Sequence, residues 1–212
     1  MSERSKQEAR VFDEYPLLRE MALKFAEQVK KRAPLSTKSN LLDCGCGSGL
    51  VGMHLYEDVA SIVMMDTAEA MLDILNDKIS RYNIRNMRVI HSDLQGAALH
   101  AEKFDVIYMN NVLHHIEDIT GFLTDLCRLL KQEGCLCLGD LCVEDGSFHG
   151  DIEGVYHCGF DENQLGQLLR NLGLVDIHWE EYYVFTKSAA TGTVRDYPVF
   201  FMSGIKPPGG CP

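Results

Sequence analysis

The chain has 212 residues, 46% hydrophobic and 24% charged, ordinary values for a globular fold that exclude wholesale disorder. Its 20 basic and 31 acidic residues leave a net charge of −11; such a surface repels phosphate backbones and anionic lipid, so neither nucleic acid nor membrane is expected as a partner. No apolar run nears the ~20 residues of a bilayer span, and the opening MSERSKQEAR lacks the apolar core of an export signal, so a cytoplasmic location is expected.

Glu14 to Lys31 reads as an amphipathic helix with Leu17, Leu18, Met21, Phe25 and Val29 on its apolar side. Five short apolar runs follow: Asn40 to Cys44, Val59 to Met65, Met87 to Ile90, Phe104 to Met109 and Cys135 to Leu141. Bounded by Gly, Asp or Asn, they read as buried parallel strands. Between them Met71, Leu72, Leu75 and Ile79 share one helix face, with Thr67 as the expected cap. Phe122, Leu126, Leu129 and Leu130 share another, with Gly134 closing the turn after it. A polar loop, Cys142 to Gly159, leads to a helix over Asp161 to Leu172, capped by Asp161 and stopped by Gly173. Two β-rich runs, Val175 to Thr186 and Pro198 to Ile205, form a hairpin across a linker at 187–193.

This alternation predicts an α/β fold, a parallel sheet with right-handed crossovers and helices on both faces. A single domain is expected over residues 1–206: an N-terminal helix at about 14–31, a core at about 40–141, and a loop plus hairpin at about 142–206. Residues 207–212 are predicted to be a disordered tail. Among the eight cysteines, Cys44, Cys46, Cys135, Cys137 and Cys142 lie in or beside apolar runs, where a free thiol behaves as a small hydrophobe. There is no CxxC pair, so no metal site is expected.

The most informative segment is Leu41-Leu-Asp43-Cys-Gly45-Cys-Gly47-Ser-Gly49-Leu50, which follows a strand and is expected to open a helix. Its glycines let the backbone turn sharply and bring bare main chain against a ligand. Gly47-x-Gly49-x-x-Gly52 also satisfies the dinucleotide pattern. Asp43 beside the loop would repel a pyrophosphate and attract an ammonium. Asp66 ends the second strand, where a carboxylate can take both ribose hydroxyls, and Asp93 ends the third, where an acceptor suits an adenine amino group. With no basic residue in the loop, the set favours a cationic adenosyl ligand.

LLDCGCGSGL, VMMDTAEAML, VIHSDL, FDVIYMNNVLHHI and LLKQEGCLCLGDL, in this order and spacing, resemble class I S-adenosylmethionine-dependent methyltransferases over roughly Phe12 to Lys206. The small-molecule branch, with its ubiquinone- and menaquinone-biosynthesis-type enzymes, is the nearest in appearance. The resemblance implies a Rossmann-like doubly wound, mostly parallel seven-stranded sheet of order 3-2-1-4-5-7-6, with the last strand antiparallel. It implies S-adenosylmethionine as cofactor. Gly45, Cys46, Gly47 and Gly49 would line the methionine and ribose portions, with Asp43 at the loop. Asp66 would hold the ribose, and Thr67 and Met71 would flank the adenine. Asp93 would meet its amino group and Leu94 would cover the ring. Asn110 would contact the amino acid end, and Phe12 and Tyr15 would close over the cofactor.

A base is needed only where the acceptor must lose a proton. His114 and His115 follow the fourth strand at the ligand-binding edge, and in a helical turn their side chains diverge by ~100°, one facing the cleft while the other packs. His149, in the 142–159 loop, is the third catalytic candidate. The function expected is methyl transfer to a small-molecule acceptor by a monomer or homodimer. Protein methylation and a non-catalytic S-adenosylmethionine-binding module are the alternatives, and a nicotinamide oxidoreductase is a remote one.

Overall fold

The computed structural model describes residues 13–96, 99, 103–150, 152–188 and 194–209. Phe12, linker residues 189–193 and the last residues 210–212 lie outside the described residues. Strands β1 (Asn40–Cys44), β2 (Ser61–Asp66), β3 (Met87–His91), β4 (Phe104–Asn110), β5 (Leu130–Leu141), β6 (Val175–Ser188) and β7 (Val194–Ile205) form one sheet of order β3-β2-β1-β4-β5-β7-β6. The first five run parallel, and β7 is antiparallel to both β5 and β6. The α/β class and the doubly wound, Rossmann-like order implied by the motifs are borne out.

Successive strand residues feed opposite layers: Leu41, Ile62 and Met64 pack on one face, Leu42, Val63 and Met65 on the other. The first face carries α1 (Pro16–Arg32) and α2 (Glu69–Arg81), the second α3 (Ile119–Leu129) and α4 (Glu162–Asn171). Helix α1 starts at Pro16 rather than Glu14, because proline is pre-set for the first helical position. Its Phe25 ring sits among Tyr108, Tyr182 and Phe201, with centroids 6.4, 5.8 and 5.4 Å away. Burying such a ring contributes about 1.5–3 kcal/mol. Gly139 of β5 admits it: a Cβ there would come within 2.6 Å of the Phe25 ring.

Several local expectations need correction. The chain after the glycine loop opens no α-helix. Met53 N–H bonds to Gly49 O at 3.0 Å, and the backbone then tightens into 3-10 turns at Gly52–His54 and Tyr56–Asp58; Gly49 and Gly52 each weaken an α-helix by about 1 kcal/mol. Thr67 does not cap α2. Ala68 holds the N-cap position, and Asp66 Oδ1 accepts the Ala68 N–H at 2.8 Å.

Helix α3 ends at Leu129 and passes directly into β5, so Leu130 belongs to the sheet and Gly134 closes no helix turn. Strands β6 and β7 extend beyond the predicted hairpin runs, to Ser188 and from Val194. The predicted tail does not begin at residue 207. Lys206 is 8% exposed and its Nζ donates to Cys127 O and Leu130 O at 2.8 and 3.0 Å, satisfying carbonyls that the end of α3 leaves open. Gly209 N–H then reaches Gln132 Oε1 at 3.1 Å. Asp161 does cap its helix, accepting the Gln164 N–H at 3.0 Å.

Candidate active site

A cavity of about 650 Å³ lies at the carboxyl ends of β1 to β4, where the strand order reverses between β1 and β4. Asp43, Asp66 and Asp93 all line it, and among the described residues no Lys or Arg does.

The glycine loop forms one wall. Gly45 (φ 78°) lies so close to the turn after β4 that a Cβ would stand 2.4 Å from Val112 Cγ2. The Gly45 and Cys46 N–H groups donate to Met65 O at 2.8 and 3.0 Å, and Gly47 N–H donates to Asp66 Oδ2 at 2.6 Å. Gly45, Cys46 and Gly47 line the cavity. Gly49 does not: a Cβ there would meet Leu75 Cδ1 at 2.5 Å, so it serves the packing of α2 against the loop.

Asp43 is 3% exposed, and its Oδ2 has no hydrogen-bond partner among the described residues. Burial, opposed by the nearby Tyr108 hydroxyl and reinforced by Asp66, pushes its carboxyl up to about 8. The same burial and the same acids push the Cys44 and Cys46 thiols upward. Asp66 spends one hydrogen bond per oxygen on backbone N–H groups, Gly47 and Ala68. Asp93 Oδ1 accepts the Gly96 N–H at 2.6 Å, which shapes the turn beyond β3. Thr67, Met71 and Leu94 complete this side of the lining.

Asn110 lines the cavity at the end of β4, its Oδ1 accepting the Tyr182 hydroxyl at 2.8 Å. Asn111, missed in the sequence, lines it too. It adopts φ 56°, gives its N–H to Gly139 O at 2.7 Å and its Nδ2 to Met21 Sδ at 3.1 Å, and leaves Oδ1 without a partner among the described residues. The only signal was residue type, since asparagine tolerates the left-handed region. Tyr15 does not reach the cavity. It is the N-cap of α1 and 55% exposed; Leu18, Met21 and Ala22 of the same helix form that wall instead.

Of the three candidate histidines only His115 lines the cavity. Its Nδ1 donates to Gly154 O at 2.7 Å. His114 is 4% exposed and turned into Asp140, which accepts its backbone N–H at 3.1 Å and its Nδ1–H at 2.9 Å. The two rings lie 4.1 Å apart instead of diverging. They occupy a 3-10 turn over which the following loop is knitted, with Tyr156 N–H on His114 O at 2.9 Å and His157 Nε2–H on Ile116 O at 2.8 Å. The His149 ring lies tilted 4.5 Å from that of His114 and 6.5 Å from that of His115, away from the cavity lining. Burial, His114 and His115 push it down to about 4, and its buried Nε2 has no partner among the described residues. Asp140, unmarked in the sequence, looked like one more residue of an apolar strand. Among the described residues no group of three or more His, Cys, Asp or Glu is placed to hold a metal, and no helix is long and apolar enough to cross a membrane.

Residues 41–134 match the family model of a methyltransferase domain. This core is therefore similar to methyltransferase domains. An uncharacterized methyltransferase of Schizosaccharomyces pombe is 30% identical over 150 residues, 64% of this chain and 53% of that protein; the chain thus spans about half of that relative's length. The 27-O-demethylrifamycin SV methyltransferase of Amycolatopsis mediterranei is 26% identical over 192 residues, 84% of this chain and 70% of that protein. Among solved structures, phosphoethanolamine N-methyltransferase 2 of Haemonchus contortus, in complex with phosphomonomethylethanolamine and S-adenosylhomocysteine, has a TM-score of 0.71 at 15% identity. It covers 86% of this chain and 52% of that one, a likeness of fold.

The lining of the cavity suits the donor that class I methyltransferases use. S-Adenosylmethionine brings a sulfonium, an ammonium and hydroxyl and amino donors. The cavity offers a buried carboxylate oxygen without a partner at Asp43, two further acids, and a backbone stretch at Gly47 where an added Cβ would find nothing within 4 Å.

Proposed function

We propose that this chain is an S-adenosylmethionine-dependent methyltransferase acting on a small-molecule acceptor. The observation that carries the reading is the acid set of the cavity: three strand-tip carboxyls and no basic side chain among its described lining, a lining that suits a cation better than a pyrophosphate. The donor, when bound, supplies a methyl group on a positively charged sulfur. Asp66 keeps free lone pairs on both oxygens for the ribose hydroxyls. Thr67 and Met71 flank the adenine, Asp93 accepts from its amino group and Leu94 covers the ring. Gly45, Cys46 and Gly47 run along the rest of the donor, Asp43 neutralises its ammonium, and Asn110 borders the amino acid end. Holding donor and acceptor in line supplies ~7–11 kcal/mol of the barrier reduction.

His115 takes the acceptor's proton where one must leave. Because Gly154 O accepts from Nδ1, the neutral ring carries its lone pair on Nε2. His114 and Asp140 position the turn and do not touch the acceptor. The long match to an enzyme named for a demethylrifamycin supports a small acceptor. Calorimetric titration of the full chain with S-adenosylhomocysteine and with NAD tests the assignment. Binding of the former alone is expected; binding of NAD alone overturns it.

A further inference from the structure

The glycine loop is fastened to the segment ahead of α1 by side chains from three parts of the chain. Asp13 Oδ1 accepts the Ser48 hydroxyl, Asp13 Oδ2 pairs with Lys78 Nζ, and Lys78 Nζ also donates to the Ser48 carbonyl at 2.9 Å. The two charged side chains are largely covered, 16% exposed for Lys78 and 18% for Asp13, so solvent and salt screen them less than a surface pair. Ser48 is 1% exposed and lines the cavity.

Helix α1 begins just after Asp13 and supplies a cavity wall through Leu18, Met21 and Ala22. Its later turns are anchored by Phe25 and Val29 in the core, both 0% exposed. Its first turn is held more loosely: Leu18 is only partly buried against the core, Tyr15 and Leu17 are 55% and 50% exposed, and the N-cap makes no side-chain hydrogen bond. The outer edge of the wall is therefore held by the partial packing of Leu18 and by this polar tie.

We propose that Asp13 is a positioning residue for the methyl donor: through Ser48 and Lys78 it holds the start of α1 against the glycine loop and so closes the wall over the bound donor. The proposal rests on the donor assignment above. Asp13 itself does not line the cavity; it acts through its two partners.

The test compares the full chain with Asp13→Asn, Lys78→Met and the double variant. S-Adenosylhomocysteine calorimetry, steady-state kinetics and amide hydrogen exchange over residues 16–22 are measured. Each single variant is expected to weaken binding about tenfold and raise the donor KM in proportion, with kcat changed by less than about twofold. The double variant should lose no more than either single, because all act on one network. Parent-like affinity in Asp13→Asn, or additive losses in the double variant, overturns the proposal. If Asp13→Asn lowers the melting temperature, Ser48→Ala, which keeps the ion pair, must still weaken binding several-fold. If the parent chain does not bind S-adenosylhomocysteine, the donor assignment fails separately. Exchange at 16–22 then decides the fastening: faster in Asp13→Asn supports it, unchanged overturns it.

Discussion

Asp43 and Asp140 stand near the carboxyl ends of β1 and β5, on either side of β4, and both are removed from water, at 3% and 0% exposure. Asp140 is saturated. It accepts the backbone N–H of His114, the His114 Nδ1–H and the Leu141 N–H. Asp43 keeps one oxygen without a partner among the described residues, and burial raises its carboxyl to about 8. The same residue type near the carboxyl edge of one sheet thus takes two roles. A buried acid with both oxygens engaged pins the backbone, whereas one left short beside a cavity can still take a donor.

The largest effect should come from breaking the saturated side. Asp140→Ala strands the His114 ring and two backbone donors in the interior, and urea melts are expected to show a loss of about 3–5 kcal/mol. Next, His115→Gln retains an N–H for Gly154 O but has no basic nitrogen. For an acceptor that must be deprotonated it should lower kcat about 10²–10³-fold with little change in stability; an unchanged kcat would assign catalysis to positioning alone.

Asp43→Asn tests the ligand-ready side. Because the folded-state value, about 8, lies above the ordinary 3.8, the folded chain keeps a proton that the unfolded chain releases across that interval. The contribution of Asp43 to stability is therefore whole below pH 4 and is lost as pH rises through 8. Asp43→Asn should equal the parent in stability near pH 4 and exceed it near pH 8. A bound cation pulls the carboxyl back down, so donor affinity in the parent rises with pH up to about 8 with proton release. The variant should bind about tenfold more weakly at pH 8, without that slope. A smaller effect is expected at the border between the two sides. Tyr182→Phe leaves Asn110 Oδ1 without its donor and should cost about 1 kcal/mol by thermal melting.

The cavity acids were legible because a polar residue that ends an apolar strand must emerge at the sheet edge. Gly45 and Gly47 were legible because a turn at positive φ, 78° and 52°, favours glycine. Tyr15 misled because helical periodicity places residues on faces but does not say where a helix lies along a cavity. His149 misled because a histidine in a polar loop looks available, while its burial beside His114 depends on how that loop folds back. Asp140 and Asn111 gave almost no signal, one hidden within a strand and the other distinguished only by its backbone angle.

Alternation of apolar runs and helical faces, together with the acids at the run ends, determined from sequence alone that this is an α/β sheet with an acidic rim. That information is local: each choice depends on neighbours a few residues away. Which polar groups are satisfied was decided only by tertiary structure. Asp140 meets His114 across 26 residues of chain and Asp13 meets Ser48 across 35, so their partners exist only once the layers have closed.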